Sequence, residues 1–156
     1  MINKERLYQR LQELGQIGRT ESGGVTRHAF TPEYKAAEKL IASYMEEAGL
    51  EIRIDGVGNL IGRKEGLDPY RSVVLTGSHL DTVTNGGIFD GSLGILGAIE
   101  VLQSFKEKKI QTEHPIEVYA FTDEEGARFS FSMFGSRGVI GDLSEKDLER
   151  KDKDRS

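Results

Sequence analysis

The chain has no cysteine, no tryptophan and only three prolines among its 156 residues. Without cysteine there is neither a disulfide framework nor a thiolate metal site. Any metal must therefore be held by imidazole and carboxylate. Imidazole is itself scarce, since the only histidines are His28, His79 and His114. No uninterrupted apolar run is long enough to cross a bilayer. The opening Met1-Ile2-Asn3-Lys4-Glu5-Arg6 is charged where a secretory signal would carry an apolar core. Membrane insertion and export are thus not expected, and the cytoplasm is the default location. A formal net charge of -5 argues against nucleic acid as a partner. What is present, 37% hydrophobic and 30% charged residues, suits one globular domain with a core of its own.

Hydrophobic periodicity organises the chain. Leu7, Leu11 and Leu14 predict a surface helix over residues 3–14. A loop follows with Gly15, Gly18, Gly23 and Gly24. Thr31 as N-cap and Pro32 at the first helical position open a second helix. Its apolar face uses Ala36, Ala37, Leu40, Ile41, Tyr44 and Met45, and Gly49 stops it. Ile52 and Ile54, then Asn59 to Gly62, predict a hairpin or two adjacent short strands. Ser72 to Gly77 is a near-continuous apolar run, which predicts a strand covered on both faces. A helix over 91–109, with Leu93, Leu96, Ile99, Leu102 and Phe105 on one stripe, leads to a strand over 116–121. Strand, helix, strand is a βαβ unit, so the expected fold is α/β, a largely parallel central sheet flanked by helices. The boundaries read as one domain over 1–143 and a charged polar tail over 144–156, a frayed helix or disordered.

The chemistry-bearing residues follow the two strands of that unit. After the first come Gly77-Ser78-His79-Leu80-Asp81-Thr82-Val83 and Asn85-Gly86-Gly87-Ile88-Phe89-Asp90-Gly91; after the second, Asp123-Glu124-Glu125-Gly126. Open α/β sheets bind ligands at this edge. Taken singly, a histidine after a strand or an acidic turn is more often structural. Their conjunction suits a metal with nitrogen and oxygen ligands. His79 is the natural nitrogen ligand, and the Asp81 carboxylate is placed to take its other ring N–H. Asp90 is free to bridge ions, and the adjacent Glu124 and Glu125 diverge, one for metal and one for a proton.

These motifs resemble those of the M20 metallopeptidase superfamily. Glu124-Glu125-Gly126-Ala127-Arg128-Phe129 followed by Phe134-Gly135-Ser136-Arg137 is most similar to its N-carbamoyl-L-amino acid hydrolase, allantoate amidohydrolase and β-ureidopropionase branch. Gly24-Val25-Thr26-Arg27, Glu47-Ala48-Gly49-Leu50 and Asp55-Gly56-Val57-Gly58-Asn59-Leu60 add to the resemblance, which runs from about Leu7 to about Gly141. It implies a catalytic domain with two bridged divalent ions, zinc or manganese, hydrolysing carbamoyl or ureido C–N bonds of small substrates. By motif, His79 binds one ion, Asp90 bridges both, Glu125 binds the other, Glu124 is the general base, and Asp81 orients His79.

The family pattern includes two later histidine ligands and a lid domain that do not stand in these 156 residues. His28 and His114 fall outside the ligand motifs and read as surface residues. The expectation is a partial catalytic domain that holds part of a metal site and is inactive alone. Non-catalytic interaction, or completion by a separate chain, is the alternative. An uncovered sheet edge and apolar helix faces are expected to make the chain self-associate.

Overall fold

A computed structural model describes residues 2–152. Helix α1, Lys4–Leu14, starts where the Asn3 side chain accepts the Arg6 N–H. Helix α2, Pro32–Glu47, is capped by Thr31, whose hydroxyl accepts the Tyr34 N–H. Both the cap and the stop near Gly49 are as the sequence predicts. The hairpin β1, Glu51–Ile54, and β2, Leu60–Lys64, pairs antiparallel. Its connection is organised by Asp55, whose carboxylate accepts the N–H groups of Val57 and Asn59 at 3.1 and 2.9 Å. Strand β3, Val74–His79, helix α3, Ser92–Glu107, and β4, Ile116–Phe121, form the expected βαβ unit. Two short helices follow, α4 at Phe134–Val139 and α5 at Glu145–Leu148.

The sheet order is β1-β2-β4-β3. The parallel pairing expected of the βαβ unit joins β3 to β4. The β1–β2 hairpin adds to the other side of β4 antiparallel, so the sheet is mixed rather than largely parallel. A tight hairpin can only join antiparallel strands, and the hydropathy of β2 does not say which way it will dock on β4. Helices α2 and α3 cover one face. Ile41, Met45, Leu60, Ile95, Leu96, Ile99, Val118 and Ala120 form the core there, each large apolar side chain contributing about 1.5–3 kcal/mol on burial. Leu93 lies off this stripe and is exposed, as is Ala36 on α2.

The expected cover on both faces of the first strand is not found. β3 is an edge strand, and Val74 and Leu75 are 50% and 46% exposed. An apolar run says that a strand wants cover, and nothing about which segment supplies it. On the face away from the helices, Glu117 is held by Arg53 and Arg63, both at 3.1 Å.

Helix α1 is fastened to α3 by a buried carboxylate. Glu100 accepts from Arg6 Nε at 2.7 Å and from the Asn3 N–H at 2.8 Å. Burial would raise its pKa, but the Arg6 and Asn3 hydrogen bonds outweigh this and hold the carboxyl below its usual range.

Of the two readings of the tail, the structure has the helical one over Glu145–Leu148. Ser144 and Asp147 form a capping box for α5. The Arg150 guanidinium lies 4.2 Å from the centre of the Phe131 ring, and Asp152 pairs with Arg128 at 2.8 Å. A hydropathy count misses these contacts because they are ionic and cation–π, supplied by the 128–131 loop. The remainder of the predicted tail, 153–156, lies outside the described residues. Among the described residues no helix is long and apolar enough to cross a membrane.

Candidate metal centre

Parallel pairing brings His79, the last residue of β3, level with Phe121 at the end of β4. Two separate loops then return to this edge. The loop after β3 ends at Asp90-Gly91, and Gly91, with φ of +65°, caps α3. This left-handed turn passes against the His79 ring: a Cβ at Gly91 would meet the His79 carbonyl oxygen and come within 2.7 Å of ring atoms Cε1 and Nδ1. Only glycine lets the chain turn so close to an imidazole.

His79 Nε2 lies 3.6 Å from Asp90 Oδ1 and 3.5 Å from Glu125 Oε1. The three donor atoms lie within 4.8 Å of one another. The other ring nitrogen, Nδ1, is 2.8 Å from the Asp81 carbonyl oxygen. A carbonyl only accepts, so Nδ1 carries a proton, and in the neutral ring Nε2 presents its lone pair toward the two carboxylates. At these distances neither contact is a hydrogen bond. Three electron-rich atoms thus converge, with no hydrogen bond from either carboxylate to His79 Nε2 and only a contact between the Asp90 and Glu125 side chains. A cation between them satisfies all three, and in a tetrahedral shell with bonds of about 2.0–2.2 Å neighbouring donors stand about 3.4 Å apart. The donor set fits a divalent ion. His79 is mostly buried, whereas the Asp90 side chain is 67% exposed, which leaves one side open. Burial raises the Glu125 pKa; the nearby Asp90 and Asp81 carboxylates push it further up, partly offset by His79.

Asp81 is placed differently from the sequence expectation. Its backbone carbonyl, not its carboxylate, takes the His79 ring N–H. The carboxylate, 1% exposed as part of the residue, accepts the backbone N–H groups of Glu124 and Glu125 at 3.0 and 3.1 Å. One residue at the end of β3 therefore sets both the imidazole and the acidic turn after β4.

The adjacent glutamates do diverge. Glu125 faces His79, while both Glu124 oxygens are held by Ser136, from its N–H at 2.6 Å and its hydroxyl at 2.9 Å. His28 and His114 stand apart from the cluster, the one bonded to Thr84 and the other to the Ser72 carbonyl. Sequence reasoning gave no role to Ser136 or to Arg27. Both stand in motifs that carry the resemblance, but neither a lone hydroxyl nor an arginine announces its partner in sequence.

Known proteins place these features. The profile of Peptidase family M28 matches residues 59–153. An N-carbamoyl-L-amino acid amidohydrolase from Geobacillus stearothermophilus is 59% identical over 97% of this chain and 37% of that protein. An allantoate amidohydrolase from Bacillus subtilis (strain 168) is 39% identical over 89% of this chain and 34% of that protein. The crystal structure of a hydantoinase/carbamoylase family amidase from Burkholderia ambifaria superposes with a TM-score of 0.94 at 40% identity, covering 98% of this chain and 38% of that one. The chain thus spans little more than a third of the length of the relatives it matches.

Proposed function

Since the chain belongs to the M28/M20-type hydantoinase/carbamoylase family, we propose that it is the metal-bearing portion of an amidohydrolase acting on carbamoyl or ureido C–N bonds. The observation that carries this reading is the convergence of His79 Nε2, Asp90 and Glu125 on one point. In this reading they would hold divalent metal, zinc or manganese, and Asp90 would be the shared ligand if a second ion bound. Bound metal would polarise the scissile carbonyl and acidify the attacking water.

The chain's own residues supply the rest. Glu124 accepts the proton of the attacking water and returns it to the leaving nitrogen. Ser136 holds both of its oxygens and aims them. The Asp81 carboxylate fixes the backbone from which both glutamates project. Three protein ligands suffice for one catalytic ion with an open position; a second ion needs ligands from outside these residues. N-carbamoyl-L-amino acids are the first substrates to try, because identity is higher to the Geobacillus enzyme than to the Bacillus one.

The open edge of β3, with Val74 and Leu75 exposed, supports a companion reading. The isolated chain pairs through this edge, with a second copy of itself or with a separate chain that completes the centre.

A chimera tests the activity. The matched segment of the Geobacillus enzyme is replaced by this chain, and ammonia release from N-carbamoyl-L-amino acids is measured. Turnover that falls about 10²–10⁴-fold with Glu124→Gln supports the assignment. A folded, metal-loaded chimera without turnover, or one indifferent to Glu124→Gln, defeats it.

A further inference from the structure

Behind the metal centre sits Arg27, 1% exposed, on the loop between α1 and α2. Burial lowers its pKa to about 10, with the Asp81 carboxylate acting the other way, so it is charged at neutral pH. A buried charge must have its hydrogen bonds met, and the partners here are unusual in where they lie. Nε donates to the Leu80 carbonyl at 2.8 Å. One terminal nitrogen, Nη1, is shared between the Leu14 and Ile17 carbonyls, each at 3.3 Å. The other, Nη2, donates to Ser92 Oγ at 3.3 Å. The backbone joins in, with the Arg27 N–H on Thr82 Oγ1 at 2.8 Å and the Thr82 N–H on the Arg27 carbonyl at 3.1 Å.

These contacts surround the centre without touching a ligand atom. Leu80 and Thr82 flank Asp81, whose carbonyl takes the His79 ring proton and whose carboxylate holds the turn of Glu125. Ser92 begins α3 two residues after Asp90, and its N–H is bonded to the Asp90 carbonyl at 2.6 Å. His79 and Asp90 are thus two, and Glu125 three, covalent or hydrogen-bonded steps from one guanidinium. We propose that Arg27 is the positioning residue of the centre, holding the loops of His79, Asp90 and Glu125 in register so that their donor atoms converge before metal binds. This rests on the reading of those three residues as ligands. Five donors in a rigid fork are what the task requires; a lysine would carry the charge but reach too few of these acceptors.

The test uses the whole chain, zinc alone as titrant in calorimetry, and ¹⁵N spectra of the histidine rings, with His79 assigned by His79→Ala. Arg27→Lys is expected to weaken zinc binding about 10–100-fold, the usual effect of losing an outer-sphere partner, and to mix the His79 ring tautomers. Arg10→Lys is the control. Arg10 is equally buried, 5% exposed, and its partners are Glu47 and the Tyr44 ring. It should leave zinc affinity and the His79 spectrum unchanged. Should Arg27→Lys fail to fold, Ser92→Ala decides, with an expected loss of a few-fold in affinity. Folded Arg27→Lys or Ser92→Ala protein with wild-type affinity and wild-type ring spectra overturns the proposal, as does an equal loss in Arg10→Lys. If the wild-type chain binds no zinc, it is the metal reading that fails, and the ring spectra of the variants alone decide the role of Arg27.

Discussion

Replacing Asp81 by asparagine separates two jobs that the sequence assigns to one carboxylate. In the structure the His79 ring proton goes to the Asp81 backbone carbonyl, which the substitution keeps. The carboxylate instead serves the N–H groups of Glu124 and Glu125 at 3.0 and 3.1 Å. An amide oxygen in its place can accept one of these, and the NH₂ group would face the other. One buried, charge-assisted hydrogen bond is lost and an N–H is left unmet, which costs about 2–3 kcal/mol. For a chain of this size that lowers Tm by roughly 4–12 °C. Thermal melts followed by circular dichroism measure the loss, and ¹⁵N spectra of the imidazoles report the His79 tautomer. The expected result for Asp81→Asn is a lower Tm with His79 still protonated at Nδ1. A scrambled His79 tautomer with an unmoved Tm would show that the carboxylate serves the ring after all, and the assignment would be wrong.

Gly91→Ala should destabilise the chain and abolish zinc binding in calorimetry, because the new methyl would occupy the space of the His79 ring against a backbone already at φ +65°; unchanged binding would mean the turn relaxes freely. Glu125 has its pKa raised by burial and by Asp90 and Asp81, so its contribution to stability is present below the ordinary carboxylate range and lost as pH rises through the raised value. Glu125→Gln should accordingly leave the metal-free chain as stable or more stable at pH 7 in urea titrations while zinc binding disappears. Glu100 has the opposite sign: its pKa is lowered despite burial, so its stability is present above its ordinary value and lost as pH falls through the lowered one. Glu100→Gln should be less stable at pH 7 and show a shallower acid limb than wild type, and parallel pH curves would refute this. Leu75→Lys on the open β3 edge should shift light-scattering mass toward the monomer; an unchanged mass rules that edge out as the contact.

Much of this protein was settled by sequence alone. Hydrophobic periodicity located α1, α2, α3, β3 and β4 near their observed places, because a helix or strand with one buried face must repeat its apolar residues at that element's own period. Residue type and position beyond the strands marked His79, Asp90 and one of the adjacent Glu124 and Glu125 as candidate ligands, since cysteine was absent and side chains that follow parallel strands meet at one sheet edge; the choice of Glu125 came from the family resemblance. Partners were a different matter. That β2 docks antiparallel on β4, that Asp81 uses its carbonyl for one loop and its carboxylate for another, that Ser136 takes Glu124, and that Arg27 reaches Leu80 and Ser92 are pairings over long sequence separations. Hydrogen bonds of this kind leave no period and no local pattern in the chain. They exist only once the packing of the sheet and helices has fixed which polar atoms share a place out of reach of water, where each must find a partner.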